Sequence, residues 1–211
     1  MIKCLISTFL LLSLTSQCLA LPVVKLNAYL IKGPYNLDVT DSLSALEQVS
    51  YILSRDGIAS LKLVRFKHRK DICPGLNRLA QKLDQFQCYK SWLISRGRLK
   101  TKRITYLMIP PKQEGNIRYM EGLSDVCFKK GKYLSLSTGE LYNQDHAWRY
   151  FHTIIAAVHE IGHALGALHD DSYPNIMHSN VLPYVDSYPL SFSDKSKQEI
   201  NQCLDSTKKI L

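Results

Sequence analysis

Residues 159–170 read His-Glu-Ile-Gly-His-Ala-Leu-Gly-Ala-Leu-His-Asp, and no other stretch of the chain restricts its fold so tightly. His159 and His163 are four apart, so on an α-helix they stand one turn above each other on one face and can grip a single cation. Upstream, Trp148, Phe151, Ile154, Ile155, Val158, Ile161 and Leu165 recur at helical spacing, with Ala156 and Ala157 adding propensity. The string therefore sits on a buried helix. Glu160 lies about 100° further round that helix. It cannot ligate the ion alongside the histidines but can reach a water beside it, which makes it the candidate general base. Gly166 follows the second histidine by three residues, where a left-handed turn ends the helix and swings the chain beneath the metal. His169 then arrives as third ligand.

Three neutral imidazoles leave a tetrahedral zinc ion one position for water, which is a hydrolase's arrangement. A structural site would be closed by a fourth ligand, usually a cysteine, and none lies near the string. A bare His-Glu-x-x-His does arise by chance. The longer string fixes six positions and has a chance frequency of roughly one in 10⁵ or rarer in a chain of this length. One catalytic zinc ion per chain, held by His159, His163 and His169, is the expectation.

The string His159-Glu160-x-x-His163-x-x-Gly166-x-x-His169-Asp170 resembles the signature of the metzincin metalloendopeptidases. The resemblance implies an α/β (α+β) fold, with a twisted, mostly parallel five-stranded sheet and helices above a cleft and a small irregular C-terminal subdomain below. It also implies a tight turn carrying a methionine under the metal. Asn175-Ile176-Met177-His178 fits that turn, with Met177 as its methionine, and a role as packing filler amounts to the same thing. Asp170, Gly122-Leu123-Ser124-Asp125-Val126-Cys127, Ser191-Phe192-Ser193 and Cys203-Leu204 look like the adamalysin (reprolysin) family, in which a cysteine at each of those two places forms a disulfide. The short interval between His169 and Met177 instead resembles the matrixins. The expected assignment is adamalysin-like, with matrixin-like as near rival.

Met1-Ile2-Lys3, the apolar run Leu5 to Leu14 and the small-residue site Cys18-Leu19-Ala20 have the form of a signal peptide over residues 1–20. That run is about half the ~20 residues needed to span a membrane. Residues 21–211 then form a single catalytic domain, with an upper subdomain over about 21–166 and a lower one over about 167–211. At 45% hydrophobic and 21% charged residues, the chain can bury a real core. Export leaves Cys73, Cys88, Cys127 and Cys203, which read as two disulfides with three connectivities. The family resemblance favours Cys127 with Cys203, leaving Cys73 with Cys88. A Cys73 thiolate capping the zinc is the rival, but Asp71-Ile72-Cys73-Pro74-Gly75 lacks the matrixin switch pattern.

Elsewhere the pattern predicts a strand over 23–31, a helix capped by Thr40 and ending near Gly57, and a strand over 60–66. A helix from Pro74 to about Leu93 and a strand over 103–109 follow. Such alternation implies a mostly parallel sheet. Residues 118–126 and 132–136 are short strand candidates, and Ser193 can cap a last helix. By resemblance, the strand over 118–126 borders the cleft and would hold an extended polypeptide substrate by β-augmentation. Val181, Leu182, Pro183 and Tyr184 are candidate walls of a specificity pocket.

The net charge is +9. Basic residues gather at Lys62, Arg65, Lys67, Arg69 and Lys70, and again at Arg96, Arg98, Lys100, Lys102 and Arg103, which suits an acidic glycan or anionic surface. Without interleaved aromatics they do not indicate nucleic acid. No EF-hand-like acidic run assigns a calcium ion, and a monomer is expected. The sequence thus reads as a secreted zinc-dependent metalloendopeptidase that hydrolyses internal peptide bonds with zinc-activated water and Glu160 as base. The alternative is a secreted zinc-binding effector or pseudo-enzyme, against which intact Glu160 argues, since a dead site need not keep its base.

Overall fold

Strand β1, Val23–Ile31, is the centre from which the architecture is built. Its residues are buried without interruption from Leu26 onward, as expected of a parallel strand covered on both faces. The computed structural model describes residues 20–31, 38–70, 73, 82–99, 103–109, 121–127, 133–138, 146–172, 174–179 and 191–208. The expected leader therefore lies outside the described residues but for Ala20. The remaining elements are α1 (Val39–Arg55), β2 (Ser60–Arg69), α2 (Lys82–Ser95), β3 (Ile104–Ile109), β4 (Glu121–Ser124), β5 (Tyr133–Thr138), α3 (His146–Leu165) and α4 (Asp194–Lys208).

The strands join in the order β2-β1-β3-β5-β4, all parallel except β4, which runs antiparallel to β5 at one edge. Because β1 alternates its side chains between faces, it feeds two cores. Val24, Leu26, Ala28 and Leu30 pack with Val49 and Leu53 of α1 and Ile155, Val158 and Ile161 of α3. Tyr29 and Ile31 face the other way, with Leu107 and Ile109, against Phe86, Tyr89 and Leu93 of α2. The ligand helix α3 is thus pinned to the sheet by its apolar face, which leaves the opposite side for chemistry. Among the described residues no helix is long and apolar enough to cross a membrane.

The start of α1 and the end of β2 differ from those read in the sequence. Helix α1 begins earlier than Thr40: Asp38, in extended backbone, accepts a bond from the Asp41 amide at 2.8 Å. Asp outranks Thr as an N-cap. Strand β2 continues past Phe66 to Arg69, because its ladder with β1 persists through Leu30↔His68 and Ile31↔Arg69 while the cationic side chains stay at the surface. Helix α2 is described from Lys82, so its expected start at Pro74 lies outside the described residues, as do residues 118–120 of the cleft strand.

Candidate metal centre

Helix α3 brings His159 and His163 to one face, and the chain leaves it through Gly166. That glycine has φ +118°, a backbone conformation L-residues rarely adopt, and an added Cβ would stand 2.6 Å from the Cys203 Cβ. Both conformation and space require glycine there. The turn is closed by Gly166 N–H donating to His163 O (2.9 Å) and Ala167 N–H to Gly162 O (3.0 Å). His169 is then carried back to the pair.

The three Nε2 atoms converge. His163 Nε2 lies 3.1 Å from His159 Nε2 and 3.2 Å from His169 Nε2, and the ligand atoms of the trio all fall within 4.8 Å of one another. A tetrahedral zinc ion with bonds of about 2.0–2.1 Å separates its nitrogens by about 3.3–3.4 Å, so the spacing fits. The ring tautomers fit as well. His159 Nδ1–H donates to Ile176 O at 2.8 Å and His163 Nδ1–H to Ala167 O at 2.7 Å, so on both rings the proton is on the far nitrogen. Their Nε2 lone pairs are aimed at one point, as metal-binding histidines held by backbone carbonyls should be.

Burial favours the neutral ligand form. His159 is pulled down to about 3, first by desolvation and then by the nearby His163, while its bond to Ile176 opposes the shift. His163 is lowered too, again chiefly by burial. Uncharged imidazoles are what a cation needs.

Glu160 is buried between α3 and the edge strand β4. Its carboxylate occupies the space a side chain at Gly122 would take: a Cβ there would lie 2.0 Å from Glu160 Oε1. The candidate base and the cleft-edge backbone are in contact only because position 122 has no side chain.

Beneath the ligands runs a tight turn through Asn175, Ile176 and Met177, all fully buried. Met177 Sδ reaches so close to α3 that a Cβ on Gly162 would stand 2.6 Å from it and 2.9 Å from Phe192 Cε1. Asn175 is the hub of the turn. Its Nδ2 donates to Asp170 O (2.9 Å), while its Oδ1 accepts from the amides of Met177 (3.0 Å) and Ser193 (3.3 Å). Asp170 adds a second tie, accepting from Ser193 Oγ at 2.5 Å and from Ser172 N–H at 3.1 Å, and these bonds hold its carboxyl below the ordinary range. Ser193 also caps α4 by accepting from the Ser196 amide at 3.1 Å. From α4, Glu199 Oε2 accepts from Leu168 N–H at 2.8 Å, one residue before the third ligand.

Among the described residues two disulfides are formed, Cys73 with Cys88 and Cys127 with Cys203. The second joins the end of β4 to α4 behind the ligand helix, and Cys127 N–H also donates to His163 O at 3.2 Å. Lys90 of α2 clamps the same segment through Asp125, with contacts of 2.6 and 2.9 Å. Gly162 and Glu199 carry no signal in the sequence, and Asn175 and Phe192 are legible there only as members of the methionine turn and of a family-like string; each acts through a contact distant in the chain. Residues 181–184, the expected pocket wall, lie outside the described residues. His178 is half-buried and 4.0 Å from the Asp171 carboxylate, apart from the trio.

No family model matches the sequence, and no curated protein is significantly similar to it. The fold does have solved counterparts. The crystal structure of an archaemetzincin from Methanopyrus kandleri superposes with a TM-score of 0.60 at 16% identity, over 86% of this chain and 96% of that one. Metalloproteinase-II from Bacteroides fragilis superposes with a TM-score of 0.54 at 18% identity, over 86% of this chain and 53% of that one, so the chain matches about half of its length. The chain shares the fold of these two structures, and it carries a three-histidine cluster capable of holding a metal ion.

Proposed function

We propose that this protein is an exported, zinc-dependent metalloendopeptidase that hydrolyses internal bonds of polypeptides bound in extended form along β4. The observation that carries the reading is the clustering of three imidazoles, with His163 Nε2 3.1 Å from His159 Nε2 and 3.2 Å from His169 Nε2, beside a buried carboxylate that touches the edge strand β4. Fold likeness and the disulfides, which suit an oxidising compartment, support it. His159, His163 and His169 would hold one zinc ion, which when bound supplies Lewis-acid polarisation of a carbonyl and acidification of a water.

The protein's own groups do the rest. The outer edge of β4 offers backbone donors and acceptors that align a substrate strand, and thereby place one scissile carbonyl over α3. Glu160 takes the proton from the attacking water and then delivers it to the leaving nitrogen, so no covalent enzyme intermediate forms. The Asn175 turn and the Cys127–Cys203 bridge keep the ligand helix and β4 in register while this happens. Within the metzincin clan, Asp170 and that bridge support an adamalysin-like placement, and the short span from His169 to Met177 a matrixin-like one.

The deciding assay is cleavage of internally quenched peptides blocked at both ends, with and without chelator. Chelator-sensitive cleavage that is lost in Glu160→Gln is expected. Stoichiometric zinc without turnover would instead assign the chain to the binding-protein reading.

A further inference from the structure

We propose that the β2 edge of the sheet, at the opposite side from the cleft strand, is a docking surface for a linear sulfated polysaccharide. The ladder between β1 and β2 carries a register break. Leu26 pairs with Leu63, but the next residue, Asn27, pairs with Arg65, so Val64 is an extra residue in the ladder. In an unbroken strand Lys62 would point to the face opposite Arg65, Lys67 and Arg69. The bulge restores them to one side. Lys62 stands beside Lys25, Arg65 beside Asn27, Lys67 beside Tyr29 and Arg69 beside Ile31, all on the face that carries Tyr29 and Ile31. The other face gives the same answer. Leu61 and Phe66, five positions apart, both pack against the α1–α3 core, which an uninterrupted alternation forbids.

The result is a single file of cations. Lys25, Lys62, Arg65 and Lys67 are exposed and Arg69 is half-buried. Among the described residues none of them has a carboxylate partner, and no acidic residue occurs between Asp56 and Asp71. The row runs roughly 20 Å, with Arg65, Lys67 and Arg69 about 6.6 Å apart along the strand. Protection of an edge strand against pairing accounts for a bulge and a lysine. It does not account for a bulge whose effect is to place every cation on the same side.

A row rather than a disc of charge matches a linear polyanion more closely than a membrane. Among the described residues no aromatic side chain on that face is exposed to stack on a base, which argues against the usual platform for single-stranded nucleic acid. Sulfate esters along a sugar chain supply fixed negative charges in one line, and the row would lie along them with its guanidinium and ammonium groups. The surface is independent of the cleft chemistry. It would hold the protein on a glycan while β4 remains open.

The test titrates the full-length secreted protein with a heparin octasaccharide and with its desulfated counterpart. K62Q/R65Q/K67Q is compared with R96Q/K100Q/K102Q, which loses the same charge from another basic run. Affinity for the sulfated chain is expected to fall with salt, and to drop at least about tenfold in the first variant but less than about twofold in the second. Cleavage of a short blocked peptide should stay as in the unaltered protein, which separates this surface from the active site. Equal weakening of both variants, equal binding of the desulfated chain, or tighter binding to single-stranded DNA or to phosphatidylserine vesicles would overturn the proposal. A variant-free measurement keeps it exposed to failure: the octasaccharide should shield Lys62 and Lys67 from amine acylation, and unshielded lysines would refute it.

Discussion

Gly122→Ala tests the proposed catalytic geometry most sharply, because it adds one methyl group and touches no ligand. The new Cβ would stand 2.0 Å from Glu160 Oε1, 2.2 Å from its carboxyl carbon and 2.4 Å from Cγ. Carbon–oxygen contacts closer than about 3 Å are repulsive, so the carboxylate or β4 must retreat by about 1 Å. A misplacement of that size costs on the order of 10²-fold in rate, or about 2.7 kcal/mol of transition-state stabilisation. If Glu160 moves, kcat falls; if β4 moves, the substrate strand moves with it and KM rises. Either way kcat/KM drops about 10²-fold while zinc stoichiometry and the melting temperature change little. Steady-state kinetics on the quenched peptide, with zinc measured by atomic absorption on the same preparation, provide the readout. Full activity in Gly122→Ala would refute the placement of Glu160 against the edge strand, and loss of zinc together with rate would show that the site depends on position 122 for assembly rather than for proton transfer.

Glu160→Gln should lower kcat by about 10²–10⁴-fold and leave zinc bound, as judged by single-turnover kinetics and metal analysis. Chelation should lower the melting temperature by roughly 5–10 °C where free zinc had stood near 100 times its Kd, and His169→Ala should abolish that difference in a thermal scan. Asn175→Leu removes partners from Asp170 O and from the Met177 and Ser193 amides at a fully buried site, for an expected loss of about 3 kcal/mol or more in urea unfolding. His152 is fully buried and burial lowers it to about 4 from an ordinary 6.5. Between those values the unfolded chain binds the extra proton, so stability rises with pH across the window and falls as pH drops through it, by up to about 3 kcal/mol. His152→Asn should flatten that part of the pH–stability curve relative to the unaltered protein; an unchanged slope would show that the histidine does not titrate with unfolding.

What the sequence revealed and what it concealed divide along the range of the contacts. The three-histidine cluster was legible because metal coordination would impose a local rule: two imidazoles one helical turn apart, a glycine to reverse the chain, and a third imidazole soon after. The order of β1, α1, β2, β3, α3 and α4 was legible for the same reason, since apolar periodicity is a property of neighbours. Position 40 misled because Thr and Asp both cap helices, and the competing Asp38 sits only two residues earlier. The bulge at Val64 was hidden because valine suits either face of a strand. The ladder register exposes it, and so does the parity clash between Leu61 and Phe66 once both are placed against one core.

The supporting shell of the site is a different matter, because it is made by residues that meet across the chain. Gly122 is small for Glu160, Gly162 for Met177 and Phe192, and Gly166 for Cys203. A glycine in a sequence advertises a turn or a close approach without naming the intruder, and here the intruders lie at separations no periodicity reports. Their shared consequence is mechanical. Each glycine lets a separate element press against α3 within one turn of a ligand or of the base, and the Cys127–Cys203 bridge, closing a loop of 76 residues, holds two of those elements together. By the chain-entropy estimate such a loop contributes on the order of 4 kcal/mol against the unfolded state. The position of the imidazoles is therefore set from behind the helix as much as by the helix itself. It follows that reducing this bridge should loosen β4 against α3 and lower kcat/KM before it lowers zinc affinity, because His159 and His163 keep their bonds to Ile176 and Ala167, which the bridge does not carry.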